Sequence, residues 1–410
     1  MRVLFISDVY FPRVNGVSTS IRTFRADLSA AGVESVLVAP SYGDEVYDDS
    51  ASIGESGIVR VPSSKVPGDP EDRRMQAGAL RRTLRALTGE QFDLVHIHTP
   101  FMAHYAGIRF ARQCGVPVLA TYHTFFEEYL HHYVPVLPRG LGRVLARGFT
   151  RSQCAQLAAI LAPSEPMRDL LLGYGVRTRI EVIPTGLPAD RYVTGDGQRF
   201  RVAHNIPTDR PLLLYVGRVA HEKNIDFLLQ VFVELRRTHP EVLFAIAGEG
   251  PALQHLRELV TGLGLNSSVH FIGYLERQRE LVDCYAAADI FIFASRTETQ
   301  GLVLLEALAQ GRPVVSTAYL GTASILKAGC GARVSPEKID GFAQAIADIL
   351  DDPSRAAALS EQARAYAQTW ASSRTALRLV ALYGELAAAG TRAASPGRDA
   401  VRSAPERVMR

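Results

Sequence analysis

The chain has 410 residues, 47 % of them hydrophobic, and a net charge of only +3. That length exceeds one core and predicts two domains, and the near-neutral charge gives no global case for nucleic-acid binding. Four scattered cysteines (Cys114, Cys154, Cys284, Cys330) form no CxxC pair and read as reduced thiols in a cytoplasmic protein, while no apolar run approaches the ~18 residues that cross a bilayer.

Val3, Leu4, Phe5 and Ile6 predict a buried strand, cut off by Ser7 and Asp8 and too short for a signal peptide. Asn15-Gly16 opens a helix whose Val17, Ile21, Phe24 and Leu28 share one stripe, and Gly32 ends it. A strand follows at 36–39, a polar loop at 41–58, and a helix over 71–88 that would hold Arg74, Arg81 and Arg85 within a narrow arc. Strands at 93–97 and 116–120 run into His98-Thr99-Pro100 and Thr121-Tyr122-His123, with a helix around 103–113 between them. A helix over 141–158 and a strand at 159–162, ending in Pro163-Ser164, follow. The polar stretch 194–208 is the expected linker. The rhythm then restarts with a strand at 212–216 ending in Gly217-Arg218, a helix carrying Ile225, Leu228, Leu229, Phe232 and Leu235, and strands at 242–247, 269–272 and 289–293. Helices over 340–350, 354–369 and 374–388 lead to a tail rich in Ala, Arg, Ser, Pro and Gly, which predicts disorder from 390 on. Strand–helix alternation at this spacing predicts an α/β chain of two Rossmann-like, doubly wound parallel sheets.

The most informative stretch is SRTETQGLVLLEALAQGRPVV, where Glu298 and Glu306 stand eight residues apart between two predicted strands. On one helix that spacing is about 12 Å along the axis, too long for the facing carboxylates of a glycosidase. It better suits two acceptors for different ends of an elongated ligand, with a pair of solvated helix acids as the alternative. Arg218 and Lys223 in GRVAHEKN follow a strand-ending glycine, where two cations suit a diphosphate or simply a charged turn. Gly16, heading the first helix, would allow close backbone approach to a phosphate. His96, His98, His131 and His132 lack the spacing of a metal site, and His123, directly after a buried strand, stands either where ligands meet the first sheet or as an ordinary hydrogen-bonded histidine. Arg139, Arg143, Arg147 and Arg151 recur every four residues, with Leu141, Leu145 and Phe149 roughly opposite. Such a helix can lie on anionic lipid, or can turn its apolar face to an ordinary core.

Taken together, TETQGLVLLEALAQGRPVV, GRVAHEKN, VNGVSTSI, IPTGL and APS resemble family-4 retaining glycosyltransferases of the B-type fold over about 1–388. HTPFMAHYAGIRFAR and TYHTFFEEYLHHYVP further resemble the bacterial branch that glucosylates diacylglycerol. The resemblance implies an N-terminal acceptor domain over 1–195, a nucleotide-sugar domain over 196–370 and a helix over 371–389 returning to the first domain. It implies that Glu298 accepts from sugar hydroxyls, Glu306 holds the ribose, Arg218 and Lys223 neutralise the diphosphate, and His123 contacts the sugar near the reacting carbon. Backbone at Gly16, Gly301, Leu302 and Val303 would add N–H donors. The implied reaction moves a hexose from a nucleotide-diphosphate sugar, UDP-glucose or similar, to a lipid such as diacylglycerol, with no cofactor, no metal and no nucleic-acid partner. Arg74, Arg81, Arg85, Arg139, Arg143, Arg147 and Arg151 would form a face docking on the inner side of the cell membrane. Alternatives are a mannosyl- or other hexosyltransferase acting on a glycan or polyprenyl-linked acceptor, a nucleotide-sugar epimerase, and a non-catalytic nucleotide-sugar sensor.

Overall fold

The apolar runs pair into two wholly parallel sheets in the computed structural model, which describes residues 1–43, 57–66, 69–123, 139–275 and 279–393. In chain order the first half supplies β1 (Arg2–Ile6), β2 (Glu34–Pro40), β3 (Ile58–Val61), β4 (Ser63–Val66), β5 (Asp69–Met75), β6 (Leu94–Ile97), β7 (Val118–Thr121), β8 (Ala159–Ala162) and β9 (Ile180–Val182). The first sheet has the order β3-β2-β1-β6-β7-β8-β9, while β4 and β5 form a separate antiparallel hairpin. The second half supplies β10 (Leu212–Val216), β11 (Leu243–Ala247), β12 (Val269–Gly273), β13 (Ile290–Phe293), β14 (Val314–Ser316) and β15 (Ala332–Val334), in the order β12-β11-β10-β13-β14-β15. Central strands such as β6, β10 and β13 are buried at every position, as continuous apolar runs covered by helices on both faces must be.

Each order reverses beside its first strand, between β1 and β6 and between β10 and β13. At such a reversal the connecting chains leave to opposite sides, and a crevice opens at the strands' carboxyl ends. The fold therefore fixes two crevices from topology alone. Asp8, just past β1, accepts from the N–H of Ala103 and the hydroxyl of Thr99, pinning the start of the helix Met102–Cys114 beside the first crevice. Burial pushes its carboxyl up to about 6 against the pull of those hydrogen bonds.

The last helix, Ser372–Ala393, does not stay with the second sheet. Its Leu379, Leu382, Tyr383 and Leu386 join Val3, Phe5, Ile21, Phe24 and Leu119 in the core on one face of the first sheet. The chain crosses back at Gly186, where a Cβ would lie 2.4 Å from the Cα of Ser372, so only glycine fits. There Leu187 N–H donates to Trp370 O at 2.8 Å and Ser372 N–H to Leu187 O at 2.9 Å.

Three readings of the sequence change. The helix expected over 71–88 starts at Ala77, and Arg74 stands instead on β5, so the arc with Arg81 and Arg85 is broken. Pairing with β4 holds that charged segment extended, a tertiary constraint that periodicity does not show. The expected linker contains a helix, Gly197–Ala203, capped by Asp196, whose carboxylate accepts from Arg199 N–H. The last helix runs through Gly390 to Ala393, and 394–410 lies outside the described residues, as do His131 and His132.

Candidate active site

In the second sheet, β10 ends at Gly217 and Arg218, and a short 3-10 turn, His221–Lys223, follows. The buried Tyr215 hydroxyl donates to Arg218 O at 3.0 Å and holds the loop down. From the far side of the switch point, after β13, comes Glu298: Lys223 Nζ lies 2.5 Å from Glu298 Oε1. Arg218 Nη1 lies 3.8 Å from Glu222 Oε1. The structure thus brings Arg218, Lys223 and Glu298 to one crevice. Asn224, in the left-handed region at φ 59°, turns the chain into the next helix and donates to Ala294 O at 3.3 Å and Glu337 Oε1 at 3.1 Å. Arg296 pairs with the same Glu337 and holds its carboxyl below the usual range. Tyr215, Asn224 and Glu337 were not singled out from sequence; an Asn directly after the lysine is the one local signal, because Asn tolerates positive φ.

Gly301 follows Glu298 at φ 94° and opens the helix Leu302–Ala309, so the N–H groups of Leu302 and Val303 fall in the first turn, where helices leave donors for a ligand. Glu306 sits on that helix but does not reach Glu298. It is 3 % exposed, accepts from the Tyr285 hydroxyl at 2.8 Å, and lies 3.6 Å from Arg191 Nε. In the first sheet, Gly16 is exposed and begins its helix, and Asn15 caps it by accepting from Ser18 N–H at 2.8 Å. Neither its φ nor its surroundings require glycine, since a Cβ there meets nothing within 4 Å.

His123 lies two residues past β7 in the first crevice, with Nε2 3.2 Å from His98 Nδ1. His98 stacks in turn on Phe5 and lies 4.1 Å, ring to ring, from His96. His96 Nδ1 lies 2.6 Å from the Tyr383 hydroxyl and Nε2 2.7 Å from the Thr121 hydroxyl. Burial lowers all three imidazoles, His123 to about 3, and keeps them neutral. A small cavity beside His123 is lined by Thr99, His104, Thr121, Tyr122 and Gln153.

Two glutamines lock the sheets together. Gln300 accepts from Thr185 N–H at 2.9 Å and donates to Thr185 O at 2.6 Å, and Gln310 donates to Arg191 O and Val193 O. Ser164 Oγ donates to Thr299 O at 2.7 Å. The Thr297–Gly301 loop is therefore held by both halves of the chain. His221, Asp226 and His255 also converge, their ligand atoms within 4.8 Å of one another. They stand on the turn that carries Lys223 and in the first turns of the two helices Ile225–Leu235 and Leu253–Gly262.

The basic helix spans Arg139–Cys154. It buries Ala146, Thr150, Gln153 and Cys154, and leaves Val144 65 %, Leu145 51 % and Phe149 39 % exposed beside exposed Arg143, Arg147 and Arg151. Leu145 and Phe149 are thus only partly covered and lie outside the described cores. The side chains of Arg139 and Leu141 lie outside the described set, and Arg81 and Arg85 are exposed on a separate helix, Ala77–Leu87.

Residues 14–191 match the glycosyltransferase family 4 profile and 196–366 that of glycosyl transferases group 1. The chain is 34 % identical over 326 residues to the alpha-monoglucosyldiacylglycerol synthase of Streptococcus pneumoniae, covering 77 % of this chain and 71 % of that one. It is 28 % identical to a GDP-mannose-dependent alpha-mannosyltransferase of Mycobacterium tuberculosis, over 77 % and 79 % of the two chains. Among solved structures, Anabaena HepE in complex with UDP-glucose superposes with a TM-score of 0.75 at 16 % identity, over 94 % of this chain and all of that one. WaaG, a glycosyltransferase of lipopolysaccharide biosynthesis, gives 0.71 at 19 % identity, over 93 % and 99 %. Two facing switch points, the matched profiles and these relatives agree: the chain belongs to the family-4 retaining glycosyltransferases of the B-type fold and is a hexosyltransferase that uses a nucleotide sugar.

Proposed function

We propose that this enzyme moves glucose from UDP-glucose to a hydroxyl of a diacylglycerol-type lipid at an anionic membrane surface. Residues 1–195 take the acceptor, 196–370 take the donor, and 371–389 fasten the two. The bond from the sugar's anomeric carbon to the diphosphate breaks, the bond to the lipid oxygen forms on the same face, and the lipid hydroxyl's proton passes to the departing phosphate oxygen. Arg218 and Lys223 stabilise charge on the leaving diphosphate, with N–H donors at Gly16, Gly301, Leu302 and Val303. Glu298 accepts from sugar hydroxyls, His123 contacts the sugar, and Glu306 serves the ribose once its present partners yield.

The lipid half of the reading is carried by the exposed Val144, Leu145 and Phe149 interleaved with Arg143, Arg147 and Arg151. Phe101 and Tyr105, also about half exposed, stand at the start of the helix Met102–Cys114. The same two helices line the cavity beside His123 through His104 and Gln153, a short route from bilayer to reaction centre. No helix among the described residues is long and apolar enough to cross a membrane. Each arginine near an anionic surface contributes about 1 kcal/mol, and salt screens it. The relative named alpha-monoglucosyldiacylglycerol synthase supports glucose and diacylglycerol, and the mannosyltransferase supports GDP-mannose as the second reading.

Radiolabelled UDP-glucose and GDP-mannose, each supplied with diacylglycerol in anionic vesicles, separate these readings. Glucolipid is expected; mannolipid alone selects the second. In sedimentation the enzyme should pellet with anionic vesicles and be released by salt, and reversing the charges of Arg143, Arg147 and Arg151 should weaken pelleting. Equal pelleting of both proteins overturns the docking face.

A further inference from the structure

We infer that His98 is a positioning residue that fixes His123 as its Nδ1–H tautomer, so that His123 offers the sugar a hydrogen-bond donor and not an acceptor. The inference rests on the reading of His123 as a sugar contact. His98 Nδ1 and His123 Nε2 share one hydrogen bond at 3.2 Å, so one nitrogen carries the proton and the other accepts it. His98 is 1 % exposed, and its Nε2 has no partner among the described residues. Two assignments are open to this neutral pair. If His98 carried its proton on Nε2, a buried N–H would be left without an acceptor, and we assign the smaller penalty to the bare ring-nitrogen lone pair of the other tautomer. The proton of His98 therefore sits on Nδ1 and is donated to His123 Nε2. His123, with Nε2 accepting, must hold its own proton on Nδ1.

The arrangement is built to stay put. The His98 ring lies 4.9 Å from Phe5 at an interplanar angle of 14° and 4.1 Å from His96, and His96 is itself gripped by Tyr383 and Thr121. Burial holds His98 and His123 neutral, so a single proton is shared between them. The result complements the other crevice. Glu298 can only accept from a sugar hydroxyl, and His123 Nδ1–H can only donate to one. The two crevices thus offer the sugar's hydroxyls one acceptor and one donor.

The test is ¹⁵N NMR of the imidazoles in full-length protein labelled at histidine, with His123 assigned through His123→Gln. Wild type should show the proton on Nδ1 of His123. His98→Phe should move it to Nε2 and lower kcat about three- to tenfold, the value of one hydrogen bond, with the affinity for UDP unchanged. His98→Asn, whose amide can donate from nearly the position of Nδ1, should keep the tautomer and return kcat to within about threefold of wild type. A proton on Nε2 of His123 in wild type overturns the inference without any variant, and so does an unchanged tautomer in His98→Phe. Full turnover in His123→Gln instead removes the sugar-contact reading and leaves the tautomer assignment to be judged on the spectra.

Discussion

Lys223 and Glu298 approach to 2.5 Å across the β10/β13 switch point, with side chains only 16 % and 22 % exposed. A cation that faces a leaving diphosphate in a partly dry crevice contributes through the transition state more than through the fold. Lys223→Ala should therefore lower kcat about 10²-fold, while the denaturation midpoint moves little because the pair is neither deeply buried nor central to the core. Turnover near wild type in a folded Lys223→Ala enzyme overturns the role. Gly16 gives a cleaner separation of fold from ligand. A methyl group there meets nothing within 4 Å, and replacing glycine inside a helix restricts the unfolded chain. Gly16→Ala should be as stable as wild type or slightly more so, yet raise the donor KM several-fold if a phosphate rests against that backbone. An unchanged KM assigns the glycine to neither.

The helix Leu302–Ala309 carries Glu306 into a buried contact with Arg191. Removing its carboxylate leaves buried Arg191 without that counter-charge, which should cost about 3 kcal/mol. Urea unfolding of Glu306→Ala reads this directly, and a midpoint equal to wild type shows that the contact with Arg191 carries no stability. Among the elements, β1, β6, β10 and β13 were legible because continuous apolar runs bounded by polar turns have few other uses. The loop and helix around Glu298 were legible for the same reason, with Gly301 marking the turn. β3 and the β4–β5 hairpin were not: Ile58–Val61 is short, and Asp69–Met75 is charged and owes its extended form to its partner strand. The inward turn of Glu306 was equally hidden, because Tyr285 and Arg191 lie far from it in sequence. Gln300 and Gln310 read as ordinary polar residues until the first domain's carbonyl and N–H groups are placed against them.

The whole molecule carries an acid sensitivity in its first domain. His96, His98, His104 and His123 are all held below 6.5 by burial, His104 to about 4 and His123 to about 3. Their contribution to stability is complete above 6.5 and is lost as pH falls, because the unfolded chain takes up protons that the folded one refuses. Asp8, raised from 3.8 to about 6, acts the other way and gains on acidification over the same range. The four histidines outnumber Asp8 and Asp27, whose carboxyls burial raises, so unfolding takes up protons on balance below about pH 6.5 and stability falls on acidification. Denaturant midpoints measured at pH 7.5, 6.5 and 5.5 should fall slightly over the first interval and steeply over the second; a flat profile overturns the neutral cluster. The crossing at Gly186 and Trp370 has a consequence of another kind. Leu379, Leu382, Tyr383 and Leu386 complete a core whose other members lie between Val3 and Ile183. On the ribosome, the first domain emerges with that face uncovered and waits for the rest of the chain, a delay on the order of tens of seconds at usual synthesis rates. Through that interval the nascent chain exposes an apolar surface that only its own last helix can close, so the first domain made is the last to be finished.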